Sequence, residues 1–121
     1  MADVSKIAGY NIKDATARSN QTRHTKSLSA GAANFNDYSL EYDGNSVIFT
    51  GEIKAVSSAN TWVEIGTLPS GVLPSHAVYG SFTTAFGVSG IIKTGSSGKI
   101  QVWATSTFSN GFGYFTLGWL K

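Results

Sequence analysis

The stretch from Tyr38 to Ile53 reads YSLEYDGNSVIFTGEI and decides the fold class. Two runs rich in aromatic and β-branched residues flank the turn Asp43-Gly44-Asn45, and in both runs apolar and polar residues tend to alternate. Such alternation places successive side chains on opposite faces of a strand. Gly and Asn tolerate the positive φ of tight hairpin turns. The stretch therefore predicts an antiparallel hairpin with strands Tyr38 to Tyr42 and Ser46 to Ile53.

The same pattern continues towards the end of the sequence. Short runs of strand-forming residues recur between turn signals such as Leu68-Pro69-Ser70-Gly71 and Gly95-Ser96-Ser97-Gly98. This spacing is typical of a sandwich or barrel. We predict an all-β fold, an antiparallel β-sandwich or jelly-roll-like head of about seven strands. The five further strands are predicted at Thr61 to Leu68, Ala77 to Thr84, Ser89 to Lys93, Lys99 to Thr105 and Tyr114 to Trp119.

The composition changes near residue 36. Residues 1–36 are polar and Ala-rich, with too few large apolar side chains to form a core of their own. Residues 1–36 are therefore predicted to be a separate N-terminal segment, and residues 37–121 a β-sandwich head domain. Within the segment, Asn11 is a candidate N-cap for a short helix from Ile12 to Ser19. Residues 20–34 are expected to form an extended or flexible connector.

Alternation along the predicted strands separates a core face from an outer face. The outer face carries more large aromatic side chains than an isolated domain needs. Either alternation misassigns these faces, or a strand is covered on both sides, or subunits bury the face, or the rings form a platform for sugars; the last two can coexist. The predicted core residues are Tyr38, Leu40, Tyr42, Val47, Phe49, Ile53, Val63, Ile65, Val78, Phe82, Ile100, Val102, Ala104, Phe115, Leu117 and Trp119.

Length and charge exclude several classes of protein. The 121 residues correspond to one domain. Residues 1–26 carry five basic and two acidic side chains, whereas the rest of the chain carries four basic and five acidic ones, so the head has no basic stripe for nucleic acid. The sequence contains no membrane-length apolar run and no signal-peptide h-region. We expect synthesis and assembly in the cytosol, with no nucleic-acid and no membrane partner.

The residues that carry catalysis are scarce. Cysteine is absent, and the two histidines, His24 and His76, fall in a polar connector and a turn-rich loop. No hydrolase, metalloprotease, P-loop or dinucleotide motif occurs. The head carboxylates suit a solvated face better than a glycosidase pair, and the turn at 43–45 has too few oxygen ligands for calcium. We therefore predict a protein that is not an enzyme, with no catalytic residue, cofactor or metal.

Two stretches resemble parts of fibre and baseplate proteins from tailed phages and prophages of Gram-positive bacteria. Ala2 to Arg18, ADVSKIAGYNIKDATAR, is similar to the opening I-x-G-Y-x-(I/L)-K-D-A-x-A-R of such proteins. Trp62 to Pro74, WVEIGTLPSGVLP, resembles the segment W-x-x-(I/V)-G-T-L-P-x-G-x-x-P of their C-terminal β-domains. The aromatic ending from Gly113 to Lys121 is also similar to the final strand of these domains.

The resemblance implies a virion protein of a tail, baseplate or head fibre. It implies a homotrimer whose N-terminal segments associate along a three-fold axis or dock onto other virion proteins, and whose heads bind cell-wall or capsular saccharide of the host. Whole fibres are much longer, so a compact accessory fibre, a head fibre and an excised module all remain open. The residues that match the docking segment most clearly are Ile7, Tyr10, Ile12 and Arg18.

The candidate ligand-binding or subunit-interface residues are the outward aromatics and two loop amides. They are Trp62, Trp103, Tyr79, Tyr114, Asn60 and Asn110. For the aromatics the alternative role is subunit packing, and for the two asparagines it is that of simple turn residues. Two other functions stay open: a virion decoration protein that binds no receptor, and a carbohydrate-binding module unconnected with a phage.

Overall fold

The computed structural model describes residues 23–121, which form eight β-strands. The strands are β1 (His24–Thr25), β2 (Phe35–Tyr42), β3 (Ser46–Ile53), β4 (Trp62–Thr67), β5 (Val78–Thr83), β6 (Ser89–Thr94), β7 (Lys99–Ala104) and β8 (Gly113–Leu120). A 3₁₀ helix, Ala32–Asn34, precedes β2. The all-β prediction is confirmed. The part of the chain that the structure describes has no helix long and apolar enough to cross a membrane.

The seven predicted strands correspond to β2 through β8, and β1 is an addition within the predicted connector. The hairpin of β2 and β3 is confirmed, with Tyr42 opposite Val47. Its turn chemistry differs from the prediction, because neither Gly44 nor Asn45 has a positive φ. The Asp43 carboxylate instead accepts the backbone N–H of Asn45 at 2.7 Å and that of Ser46 at 2.8 Å. The turn is therefore held by an aspartate side chain that mimics a backbone turn.

The strands form one curled antiparallel sheet in the order β1-β2-β3-β8-β5-β6-β7-β4. β8 pairs with β3 over its full length. With β5 it shares only the pairs Phe82–Phe115 and Thr83–Tyr114. The strands β1, β2 and β3 on one side of β8 and β5, β6, β7 and β4 on the other contribute to one common core, in a sandwich-like arrangement.

The two edges of the curled sheet approach each other, because the segment that follows β1 forms hydrogen bonds with β4. The Ser29 N–H donates to the Thr67 carbonyl at 2.9 Å, and the Thr67 N–H donates to the Ala30 carbonyl at 3.0 Å. Gly31 makes this approach possible, because it has φ 84 and a Cβ there would lie 2.2 Å from the Ile65 carbonyl oxygen. The edge of β4, which would otherwise be open for pairing with another chain, is thereby partly covered.

The predicted core face is confirmed. Tyr38, Tyr42, Val63 and Val78 are partly buried against the core, and the other predicted core residues are buried. The rings of Phe49 and Phe115 meet edge to face with centroids 4.9 Å apart. Leu28, within the expected connector, is also buried, and its N–H donates to the Tyr38 hydroxyl at 3.1 Å. At least this part of the connector is packed against the sheet and is not a free linker.

The two ends of the sheet differ. The hairpin end holds the turns 43–45, 68–77 and 95–98, and the loop end holds the connections 54–61, 84–88 and 105–112. At the hairpin end, Arg23 donates to the Asp43 carboxylate at 2.9 Å, and the Lys121 N–H donates to the Asn45 carbonyl at 2.9 Å. Arg23, where the described residues begin, therefore lies at the hairpin end. The eight residues of β3 span roughly 25 Å from there to the loop end.

Candidate functional site

Three of the predicted site residues share the outer face of β5, β6, β7 and β4. Trp62 and Trp103 are directly opposite each other, and Ile91 is opposite Trp103 on the other side. Tyr79 lies on the same face, diagonal to Ile91. We call these four residues the outer strip. It places four large apolar side chains on one outer flank of the sheet.

Strand alternation turns the outer strip away from the core. Tyr79 is 61% exposed, Ile91 39% and Trp62 38%, while Trp103 is partly covered by its neighbours. The interpretation that alternation misassigns the faces is therefore wrong for these residues. Lys93, directly opposite Tyr79, lies on the same face, and its ammonium is 4.0 Å from the centre of the Trp62 ring. This cation–π contact places one charge within the strip.

Tyr114 belongs to a second surface, a groove of about 830 Å³ on the outer face of β2, β3 and β8 that also reaches β5. One cross-strand row runs from Asp37 through Glu52 to Tyr114, and the next runs from Ser39 through Thr50 to Thr116. We call this surface the groove. Its outward side chains are Asp37, Ser39, Thr50, Glu52, Ser81, Tyr114 and Thr116.

The groove combines an acidic pair with hydroxyl groups and one exposed ring. Asp37 and Glu52 face each other across β2 and β3, an arrangement of like charges that destabilises a sheet. Glu52 accepts a hydrogen bond from the Asn36 amide at 2.8 Å, and no ion pair between residues 23–121 involves either carboxylate. Tyr114 is 51% exposed. The groove therefore offers hydrogen-bond acceptors and a stacking face to a ligand rich in hydroxyl groups.

The two predicted asparagines lie at the loop end in different settings. Asn60 has φ 57, and its backbone N–H donates to the Ala104 carbonyl at 2.8 Å, as expected of a turn residue. Asn110 is exposed and lines a pocket between the three loops of that end. The six candidate residues are thus distributed over the strip, the groove, a turn and this pocket. Ile7, Tyr10, Ile12 and Arg18, and the predicted helix from Ile12 to Ser19, lie outside the described residues.

Sequence reasoning missed most of the groove and the loop-end pocket. The groove residues occupy outward polar positions on four strands, a pattern that an ordinary solvated face shares. Phe86, which is 76% exposed and lines the pocket, is a single apolar residue in a turn. The strand assignments were the one available signal, because they predict which polar residues point outward. They do not predict which outward rows are adjacent.

The remaining candidates for catalytic or metal chemistry are solvent-exposed. His76 is exposed in the β4–β5 loop, and His24 is exposed with its ring centre 5.4 Å from that of Tyr42. Among residues 23–121 no three His, Asp or Glu side chains lie close enough together to hold a metal ion. No protein-family model matches the chain, and no curated protein matches it. Its fold and surfaces define an all-β domain with an apolar flank and a polar groove.

Proposed function

We propose that the chain is a structural protein of a phage virion, a fibre or receptor-binding head that attaches as a homotrimer to saccharide on the host cell surface. The observation that carries the proposal is the groove, in which an exposed aromatic ring stands beside carboxylate and hydroxyl side chains. The motifs at Ala2 to Arg18 and Trp62 to Pro74, which resemble those of phage fibre proteins, supply the virion context.

The groove suits a saccharide chemically. The C–H face of a sugar ring stacks on the Tyr114 ring, whose face is apolar. The carboxylates of Asp37 and Glu52 accept hydrogen bonds from paired sugar hydroxyls, and such charge-assisted bonds are the stronger kind. Ser39, Thr50, Ser81 and Thr116 both donate and accept.

The outer strip supports the homotrimer. It lies on the flank of the sheet, so copies standing side by side bury it, and aromatic residues are enriched at the centres of such interfaces. Three linked heads raise weak single-site sugar binding by multivalency. The strip and the groove adjoin on β5, where Ser81 of the groove is directly opposite Ile91 of the strip. Subunit packing around Trp62 and Trp103 therefore leaves open the larger part of the groove, which lies on β2, β3 and β8.

The two ends of the sheet suit different roles, with attachment to the virion at the hairpin end and recognition of the ligand towards the loop end. The described residues begin with Arg23 at the hairpin end, and the stretch that resembles a docking motif precedes it in the sequence. Tyr114 and Glu52 lie near the loop end, because β3 ends and β8 begins there. A virion that holds the N-terminal segment therefore presents the groove on the far side of the head.

Co-sedimentation with purified cell walls from a panel of Gram-positive strains tests this proposal. We expect the full chain to sediment with walls that retain their polysaccharide, and Tyr114→Ala to weaken that binding. Leu120→Ala is the matched control, since Leu120 is 78% exposed at the hairpin end, away from the groove. Failure of the wild-type chain to bind any wall, with the protein still present on virions by immunogold labelling, would assign it to decoration instead.

A further inference from the structure

A pocket at the loop end is separate from the outer strip and the groove. It has a volume of about 570 Å³ and is walled by the connections β3–β4, β5–β6 and β7–β8. This size is within the range of about 300–1,000 Å³ typical of small-molecule sites. The residues that line it are Ala55, Val56, Ser57, Thr84, Phe86, Val88, Thr107, Phe108, Ser109 and Asn110.

Backbone hydrogen bonds between the loops hold this pocket in shape. Val56 and Phe108 form a two-way bridge, with N–H to carbonyl distances of 2.9 and 3.0 Å. The Ala85 N–H donates to the Gly111 carbonyl at 2.9 Å. All three loops are therefore cross-linked, and a ligand meets a largely preformed site without the cost of ordering it.

The exposed ring of Phe86 is held at the rim by local geometry. Gly111 has φ 80, and a Cβ at that position would lie 2.6 Å from Phe86 Cδ2, so only glycine leaves room for the ring. Thr84, which is 5% exposed, fixes the same turn, because its hydroxyl accepts the Val88 N–H at 3.0 Å. Gly111 and Thr84 thus hold the Phe86 ring in solvent beside the opening of the pocket.

The lining determines the chemistry of the occupant. No ionisable side chain lines the pocket, so a charged ligand would find no partner there. Val56, Phe86, Val88 and Phe108 provide an apolar wall for a methyl group or a ring face. The Asn110 amide and the nearby serine and threonine hydroxyls exchange hydrogen bonds with an amide group. An acetamido group, which joins a methyl to a neutral amide, presents both features at once.

We propose that this pocket binds an uncharged N-acetylated sugar, an inference that rests on the proposed function and adds a second subsite to it. The pocket and the groove are neighbours, because Thr84 lines the pocket while Thr83 pairs with Tyr114 of the groove. One glycan chain therefore reaches both, with the hydroxyl-rich unit in the groove and the N-acetylated unit in the pocket.

NMR titration of the isotope-labelled full chain with N-acetylglucosamine tests the site directly. We expect backbone amide shifts within residues 55–57, 84–88 and 107–110, and much smaller shifts with glucose or glucosamine at equal concentration. Glucose lacks the acetamido group, and glucosamine is charged. Equal responses to all three sugars, or no shifts in these ranges, would overturn the proposal.

Two variants complete the test. Phe86→Ala and Asn110→Ala each remove an exposed side chain, so both are expected to fold and each to weaken N-acetylglucosamine binding about fivefold. Leu120→Ala is the control and is expected to bind as the wild-type chain does. Unchanged affinity in both variants would refute the pocket assignment, while wild-type binding to cell walls would still support the proposed function. If the wild-type chain does not bind cell walls, the proposed function is refuted, whatever the NMR titration with N-acetylglucosamine shows.

Discussion

Trp62 and Trp103 lie directly opposite each other on β4 and β7, with both indoles on the outer face of the sheet. A solitary domain has little reason to keep two adjacent indoles outside its core. The placement bears on the proposed homotrimer, because the pair forms the β4 end of the outer strip.

Trp103→Glu is expected to convert the proposed trimer of the 12.8 kDa chain into monomers, since a buried unpaired carboxylate at a subunit interface is strongly unfavourable. Light scattering on the full chain measures this mass. Thr116→Glu places the same charge on the other half of the sheet and is expected to leave the trimer intact. A monomeric wild-type chain, or a Trp103→Glu variant that stays trimeric, would remove the strip from the interface.

Trp119→Phe is expected to lower the free energy of unfolding by about 1–3 kcal/mol, because a buried acceptor then loses its donor. The indole N–H of Trp119 donates to the Val72 carbonyl at 2.8 Å, and Val72 is fully buried. This bond fastens the β4–β5 loop across the hairpin end. Chemical denaturation measures the change. Tyr114→Phe removes a polar atom from an exposed ring and is expected to change stability by less than about 0.5 kcal/mol; equal effects in both variants would contradict the assignment.

Gly31→Ala is expected to destabilise the fold by about 2 kcal/mol or more. The new Cβ meets the Ile65 carbonyl oxygen at 2.2 Å, and alanine is disfavoured at φ 84. The loss measures how much the near-closure of the sheet contributes. Gly44→Ala is the matched control, since a Cβ there meets nothing within 4 Å and its φ is not positive. A thermal midpoint for Gly31→Ala that equals that of the control would show that the approach of this segment to β4 is dispensable.

Asp43→Asn is expected to reduce the dependence of stability on pH in acid. The backbone N–H of Asn45, then that of Ser46, and to a smaller extent the Arg23 guanidinium lower the pKa of Asp43 below its ordinary value of 3.8. A folded pKa below the unfolded one stabilises the protein above pH 3.8, and this stabilisation is lost as the pH falls through the folded pKa. The wild-type chain should therefore be the more stable one at pH 7, with the difference shrinking below pH 3.8. A difference that is constant from pH 7 to pH 2 would contradict this origin.

The strands and the core were predictable because their signal is local. Alternation between Ser46 and Ile53 specifies both the strand and its buried face, and β3 has the predicted bounds. A one-residue shift of register would expose Phe49, so the pattern is compatible with only one face of β3 towards the core. The burial of Leu28 was not predictable, since a single apolar residue in a polar segment has no periodicity.

The sites were less predictable because they depend on contacts between distant parts of the chain. Hairpin signals cover only neighbouring strands, whereas β8 lies between β3 and β5. The groove needs Asp37 and Tyr114 to be brought to adjacent strands, and the pocket needs Val56 to meet Phe108 across two loops. The outward aromatics were predictable because each occupies a position of its strand at which alternation predicts a polar side chain.

The most direct test of the account is the labelling of intact Gram-positive bacteria by a fluorescent fusion of the full chain. The account predicts surface labelling that survives protease treatment of the cells and disappears after periodate oxidation, which cleaves vicinal diols of sugars. If protease treatment abolishes the labelling and periodate oxidation does not, the result would contradict recognition of a saccharide. Absence of labelling on every strain of the panel would contradict the attachment function itself.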